Sequence, residues 1–184
     1  MIVLSDHIHL QALTLSDHSE VYQLLQTIYT PAYGHYWEDN GKWYLDQQYQ
    51  LEHFTKELNE KKSKYYLINY SDKNGTSSVP IGIFKYNTHT PYAPLPEYRA
   101  FKIHRLYLAV DFQGKGIGKL MMQYAQKIAK KDKHQLIWLD AMDTHVQAQS
   151  FYKSLGFVKT TSRVLPFELM RDEHRQIWYL HKML

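Results

Sequence analysis

The segment Gln113-Gly114-Lys115-Gly116-Ile117-Gly118 constrains this chain more than any other. Three of the eight glycines stand there, between an apolar run at 101–110 and a stretch at 117–131 whose Ile117, Leu120, Met121, Tyr124 and Ile128 recur at helical spacing. A strand that turns through glycines straight into a helix leaves N–H groups without partners, and the helix dipole adds positive charge to them. Glycine also lets a ligand approach the backbone closely. Such a turn suits an anion, most naturally a phosphate. It is neither of the two standard phosphate motifs. Gly118-Lys119-Leu120 lacks the metal-binding hydroxyl of a Walker loop, and Gly-x-Gly-x-Gly is not the Gly-x-Gly-x-x-Gly of a dinucleotide fold. A tight turn with no ligand is the alternative reading of the glycines taken alone.

Around this turn the periodicities alternate. Residues 7–13 read as a strand, and 17–29 as an amphipathic helix (Val21, Leu24, Leu25, Ile28) with Ser16 offered as its N-cap and its end set by Pro31. A second helical stretch lies near 43–60. The runs at 65–70 and 80–86 read as an antiparallel pair joined by the turn at 71–75. Three of six prolines, Pro91, Pro94 and Pro96, make 87–99 a stiff loop. After the helix at 117–131 come a strand at 135–140, a helix at 146–155 and two strands to the C-terminus. The order is α+β in a single domain, with a βαβ crossover at its centre.

At 184 residues with 44% hydrophobic and 22% charged side chains, one folded core is expected and a disordered chain is excluded. Cysteine is absent, which removes disulfides and thiolate metal sites. The first ten residues carry Asp6, His7 and His9 where a signal peptide needs an apolar run, and no membrane-length apolar run occurs, so a cytoplasmic protein is expected. A net charge of +4, with basic residues clustered only at Lys61-Lys62 and 130–133, is too sparse for a nucleic-acid partner. The eleven histidines show no three-ligand spacing, so no metal is expected.

The second informative run is FYKSLGF at 151–157. Ala148, Phe151, Tyr152 and Leu155 share a helical face, and Gly156 stands where a left-handed cap ends the helix. Together these residues resemble the GNAT superfamily of acetyl-CoA-dependent N-acyltransferases. Gln113, Gly116 and Gly118 match its Gln/Arg-x-x-Gly-x-Gly/Ala motif, and Phe151, Tyr152, Gly156 and Phe157 match its Phe-Tyr-x-x-x-Gly-Phe signature. Within it, KIHRLYLAVDFQGKGIGKLM and FYKSLGFVKT look like the PaiA-type spermidine/spermine acetyltransferases. The resemblance implies a three-layer α/β/α fold whose central mixed, mostly antiparallel sheet splays open between the 101–110 and 135–140 strands. It implies an acetyltransferase with acetyl-CoA as co-substrate. Backbone groups of Leu106, Tyr107 and Leu108 would pair with pantetheine, the amides of Gln113, Gly114, Lys115, Gly116, Ile117, Gly118 and Lys119 would hold the pyrophosphate, and the Leu108 N–H would stabilise the oxyanion. Tyr152 would be the general acid. The family's base is usually a carboxylate or a water relay; here the candidate is His104, on one strand face with Leu106 and Leu108 and with an ordinary pKa near ~6.5, and a surface or hydrogen-bonded histidine is the alternative reading. His145 stands where the family commonly has a cofactor-contacting Asn.

The acceptor implied is a primary amine, of a polyamine-like or other small molecule or a peptide N-terminus. A homodimer is frequent among relatives. Tyr29, Tyr33, Tyr36, Trp37, Trp43, Tyr44 and Tyr49, interleaved with Glu38, Asp39 and Asp46, form an aromatic, acidic segment suited to a cationic amine. Tyr33, Trp37, Glu38 and Trp43 are the acceptor contacts expected from it, with the 87–99 loop as an opposite wall; rings that simply fill the core over the second helix are the alternative reading. PaiA-type proteins tend to carry Glu where this chain has Lys102 and His104, which weakens the attraction for a polyamine. A non-catalytic acyl-CoA-binding module is the alternative.

Overall fold

The computed structural model describes residues 1–72 and 77–184, so most of the turn expected at 71–75 lies outside the described residues. Eight strands build one sheet: β1 (Ile2–Val3), β2 (Ile8–Ala12), β3 (Ser63–Ser71), β4 (Ser78–Thr88), β5 (Ala100–Leu108), β6 (Leu136–Met142), β7 (Val158–Val164) and β8 (Gln176–Met183). Their spatial order is β1-β2-β3-β4-β5-β6-β8-β7. Only β5 and β6 run parallel; the other neighbours are antiparallel. The α-helices are α1 (His18–Tyr33), α2 (Lys42–Tyr49), α3 (Leu51–Leu58), α4 (Ile117–Lys131) and α5 (Val146–Ser154).

The helices cover both faces. Met121, Met122 and Ala125 of α4 and Phe151 and Tyr152 of α5 pack with Phe101, Ile103, Leu106, Ile137 and Leu139. Val21 and Leu25 of α1, Leu45 of α2 and Phe54 of α3 pack with Leu67, Ile83 and Tyr107 on the other side. This is the three-layer arrangement with a mixed, mostly antiparallel sheet that the resemblance implies.

The parallel pair is where the sheet opens. β5 and β6 pair over only three positions, Ala100↔Leu136, Phe101↔Ile137 and Lys102↔Trp138. Beyond them β5 follows β4 as far as Gly82↔Leu108, while β6 follows β8 as far as Met142↔Ile177. A β-bulge adds to the opening: β4 pairs Lys85 with Arg105 and Tyr86 with Ile103, so His104 is the extra residue. Alternation changes phase there. Ile103, Leu106 and Leu108 all pack on the α4 side, whereas Tyr107 packs with α1–α3 and Arg105 pairs with Glu57 of α3. His104 therefore does not share a face with Leu106 and Leu108, as strict alternation predicts; its charged neighbours Arg105, Lys85 and His53 belong to the α1–α3 face.

Three local expectations are corrected. α1 passes through Pro31, which stands in its last turn where one missing N–H costs a single bond. Its entry is organised by Thr14, whose N–H bonds Asp17 Oδ2 at 2.7 Å in a capping box, and not by Ser16. The 43–60 stretch is two helices, broken where Gln50 turns extended (φ −61°, ψ 154°).

Candidate functional site

The glycine turn leaves six consecutive N–H groups bare. Gln113 N–H bonds Val110 O at 3.0 Å, and the next backbone donor in use is Leu120, to Gly116 O at 3.0 Å, so the N–H groups of Gly114 through Lys119 have no acceptor among the described residues. Gly114 (φ 70°) and Gly116 (φ 81°) are left-handed, with no atom within 4 Å of where a Cβ would stand. The turn thus needs glycine for its backbone, and the space above it is open. Gly118 serves closeness instead: a Cβ there would lie 3.3 Å from Phe151 Cζ, so α4 and α5 meet at this point. Lys115 and Ile117 contribute amides only, since Lys115 Nζ lies 5.2 Å from the Phe112 ring centroid and the Ile117 side chain is in the core.

Beside the turn, the edge of β5 faces the split. Ala109 N–H bonds Ile81 O at 2.9 Å, and Tyr107 O lies only 2.2 Å from a Cβ built on Gly82. The backbones of 107 and 109 therefore point at β4, and those of Leu106 and Leu108 point into the split. Gln113 Nε2 donates to Leu108 O at 3.0 Å, which leaves the Leu108 N–H free. Tyr107, expected to offer its backbone, offers its ring.

One cavity of about 640 Å³ runs through the split. Gln113, Gly114, Gly116, Gly118 and Lys119 line its turn end, and Leu106, Leu108, His145, Ala148 and Tyr152 line the passage. On the α1–α3 face it is walled by Tyr33, Trp37, Tyr44, Tyr107 and Phe167, with His104 and Asp140 at its floor. Tyr152 is half-buried between Phe151 and Phe157, at ring distances of 5.2 and 6.0 Å. Gly156 (φ 84°) locks its turn in a Schellman arrangement, with Phe157 N–H on Tyr152 O at 3.1 Å and Gly156 N–H on Lys153 O at 3.0 Å. Burial, with the Asp140 charge behind it, pushes the Tyr152 phenol up to about 12, so it stays protonated. His104 has a buried Nδ1 with no hydrogen-bond partner. Burial beside Arg105, Lys85 and Lys102 holds it well below the ordinary histidine value, so the ring is neutral. His145, half-buried against Tyr33 at 5.6 Å, is also lowered by burial.

The acceptor contacts divide. Tyr33 and Trp37 line the cavity, whereas Trp43 lies behind it against Trp37 and Phe167, and Glu38 is on the surface 3.6 Å from Arg171. Asp39 accepts from the N–H groups of Gly41 and Trp43 at the start of α2, and Asp46 accepts from Tyr22 and Lys42. No carboxylate of that segment faces the cavity, and neither does the 87–99 loop, whose Tyr92 is buried against Trp138. Leu165, Phe167 and Met170 form the opposite wall instead. Asp140 and Arg163, which the sequence reading missed, also line it. The signal for Asp140 was a lone charge ending the apolar run LIWL.

A sheet parted at its parallel pair, beside bare amides at a helix start, defines a protein that takes a long phosphate-bearing co-substrate through the sheet. The chain belongs to the acetyltransferase (GNAT) family, which it matches over residues 19–157. Members of this family use acetyl-CoA, and the bare amides and open strand edge found here fit it. The fold resembles PaiA N-acetyltransferase from Thermoplasma acidophilum in complex with coenzyme A, at 18% identity and TM-score 0.68 over 96% of this chain and 99% of that one. It also resembles a mutant spermidine N-acetyltransferase SpeG from Vibrio cholerae, at 17% identity and TM-score 0.64 over 97% and 95% of the two chains. In sequence it is 26% identical over 83 residues to an "Uncharacterized N-acetyltransferase in pepI 3'region" of Lactobacillus delbrueckii subsp. lactis. That match covers 45% of this chain and 46% of the relative, so the chain spans about half the relative's length. No helix among the described residues is long and apolar enough to cross a membrane.

Proposed function

We propose that the chain transfers the acetyl group of acetyl-CoA to a primary amine by direct attack in a ternary complex. The observation that carries this reading is the single cavity joining the bare amides of Gly114–Lys119 on one face to a ring-lined space on the other. The amides, with Lys119, hold the diphosphate. Leu106 and Leu108 extend the strand edge along pantetheine. The Leu108 N–H donates to the thioester oxygen, and that bond strengthens as negative charge grows there. Tyr152 protonates the departing thiolate. His145 supplies a hydrogen bond toward the co-substrate from the start of α5.

The amine has to attack as its free base. Protonating His104 is unfavourable in its buried, cationic surroundings, so it does not act as the base, and its part is to wall the floor of the cavity as a neutral ring. The proton shed as the C–N bond forms leaves through the cavity mouth to solvent. Because the Vibrio cholerae neighbour is a spermidine N-acetyltransferase, polyamines come first in a test panel, followed by amino acids, amino sugars and peptide N-termini.

The test is thiol release from acetyl-CoA with each acceptor. Release with at least one amine, and none without amine, is the expected result. Tight CoA binding by calorimetry with no release for any amine would make the chain an acyl-CoA-binding module instead.

A further inference from the structure

The floor of the acceptor face holds a three-membered ionic group. Lys102 Nζ bonds Asp140 Oδ2 firmly at 3.1 Å, and Arg163 Nη2 reaches the same oxygen from edge strand β7 only loosely, at 3.9 Å. Lys102 and Asp140 are largely buried, whereas the Arg163 side chain is 45% exposed. Among the described residues lining the cavity, Asp140 is the sole carboxylate. The other cation on this face, Arg105, is already matched by Glu57 of α3, to which it is bonded. The acceptor side therefore carries one negative and two positive groups within a few ångströms, under a roof of Tyr33, Tyr36, Trp37, Tyr44 and Phe167.

We infer that the acceptor is a free amino acid with an aromatic or apolar side chain, bound as its zwitterion. This rests on the acetyltransferase reading above. The ammonium group meets Asp140, the carboxylate meets the loosely held Arg163 guanidinium, which swings off Asp140 to receive it, and the side chain lies against the rings. Arg163 suits this part: its planar fork matches a carboxylate with two parallel bonds, and its weak present contact costs little to give up. Asp140 also places the nitrogen near the crossing, since it lines the same cavity as Tyr152 and is close enough for its charge to act on the Tyr152 phenol. A polycation fits poorly. Each further ammonium group of a polyamine would enter a face where cations outnumber carboxylates, and like charges that close are repulsive.

The experiment uses the full chain saturated with CoA and measures the binding of phenylalanine, 2-phenylethylamine and spermidine by calorimetry. Phenylalanine and 2-phenylethylamine differ only by the carboxylate. Phenylalanine is expected to bind at least tenfold more tightly than either of the others. Arg163→Gln is expected to reduce its advantage over 2-phenylethylamine to less than threefold, while Arg171→Gln, a surface arginine paired with Glu38 outside the cavity, preserves it. Equal or tighter binding of 2-phenylethylamine or spermidine, an advantage that survives Arg163→Gln, or no binding of phenylalanine by a protein that holds CoA would each overturn the inference and leave the acetyltransferase reading standing. Failure to bind CoA would strike that reading itself.

Discussion

Tyr152 occupies the last turn of α5 because Phe151, Leu155 and Phe157 bury around it and Gly156 ends the helix one turn on. Its hydroxyl has no hydrogen-bond partner among the described residues, so the proton is free to move to a sulfur. Tyr152→Phe keeps the ring and removes the proton, and kcat for thiol release should fall by about 10²-fold, the lower range for general-acid catalysis. An acid must be protonated to act. With the phenol pushed up to about 12, the rate against pH should rise as the amine deprotonates and show no descending limb through pH 10. A limb near 8 or 9 in a stopped-flow thiol assay would assign the acid elsewhere. At this scale Tyr152 and the turn glycines were legible, because each is defined by neighbours within a few positions. Asp140 and Arg163 were not: 23 positions separate them in the chain, and only the β6-β8-β7 order brings them together.

β5 owes its shape to two neighbours. Across it, Gly82 of β4 leaves room for the Tyr107 carbonyl, which a methyl group would meet at 2.2 Å. Gly82→Ala should therefore push β4 and β5 apart and lower stability by about 1–3 kcal/mol in urea unfolding, the usual range for overpacking. It should weaken CoA binding as well, since Leu108 moves with Tyr107. Behind it, Glu57 of α3 is bonded to Arg105, lies 3.0 Å from Lys85 Nζ, and is itself almost fully buried. Glu57→Gln takes the carboxylate from Arg105 and leaves Lys85 with Glu60 at 3.0 Å, and removing one partner of a buried pair costs about 3–5 kcal/mol. Desolvation opposes the Glu57 carboxylate, but Arg105 and Lys85 outweigh it and hold its pKa below the ordinary 4.5. A lowered folded-state pKa gives stability that is present above 4.5 and lost as pH falls through the folded value. Unfolding midpoints for the native chain should accordingly drop as pH goes from 5 to 3, and Glu57→Gln should flatten that slope. The bulge at His104 was not legible. A single sequence carries no mark of a strand's register, and the reversal of phase follows from pairing with β4.

Over the described residues the molecule is one eight-stranded sheet with a passage through it, so a co-substrate held there would contact both halves. A ligand that binds only the folded chain stabilises it by about 2.7 kcal/mol at a hundred times its Kd. For a chain of this size each kcal/mol moves Tm by about 2–4 °C, so CoA at that concentration should raise Tm by about 5–11 °C in scanning calorimetry. No shift at that saturation would mean that the passage does not hold CoA. The strand-to-helix glycine turn, the cap at Gly156, the antiparallel β3–β4 pair and the order of strands and α-helices from β3 onward, but neither β1 nor the break at Gln50, were determined by the sequence alone. They depend on backbone conformation and side-chain period over fewer than about twenty residues, and those are written locally. The tertiary structure decided which aromatic residues line the cavity, that Glu38 stays outside, that His104 leaves the face of Leu106 and Leu108, and that Asp140 and Arg163 meet. Those outcomes depend on strand order and register, which are settled by the joint packing of distant segments and by no short stretch of chain.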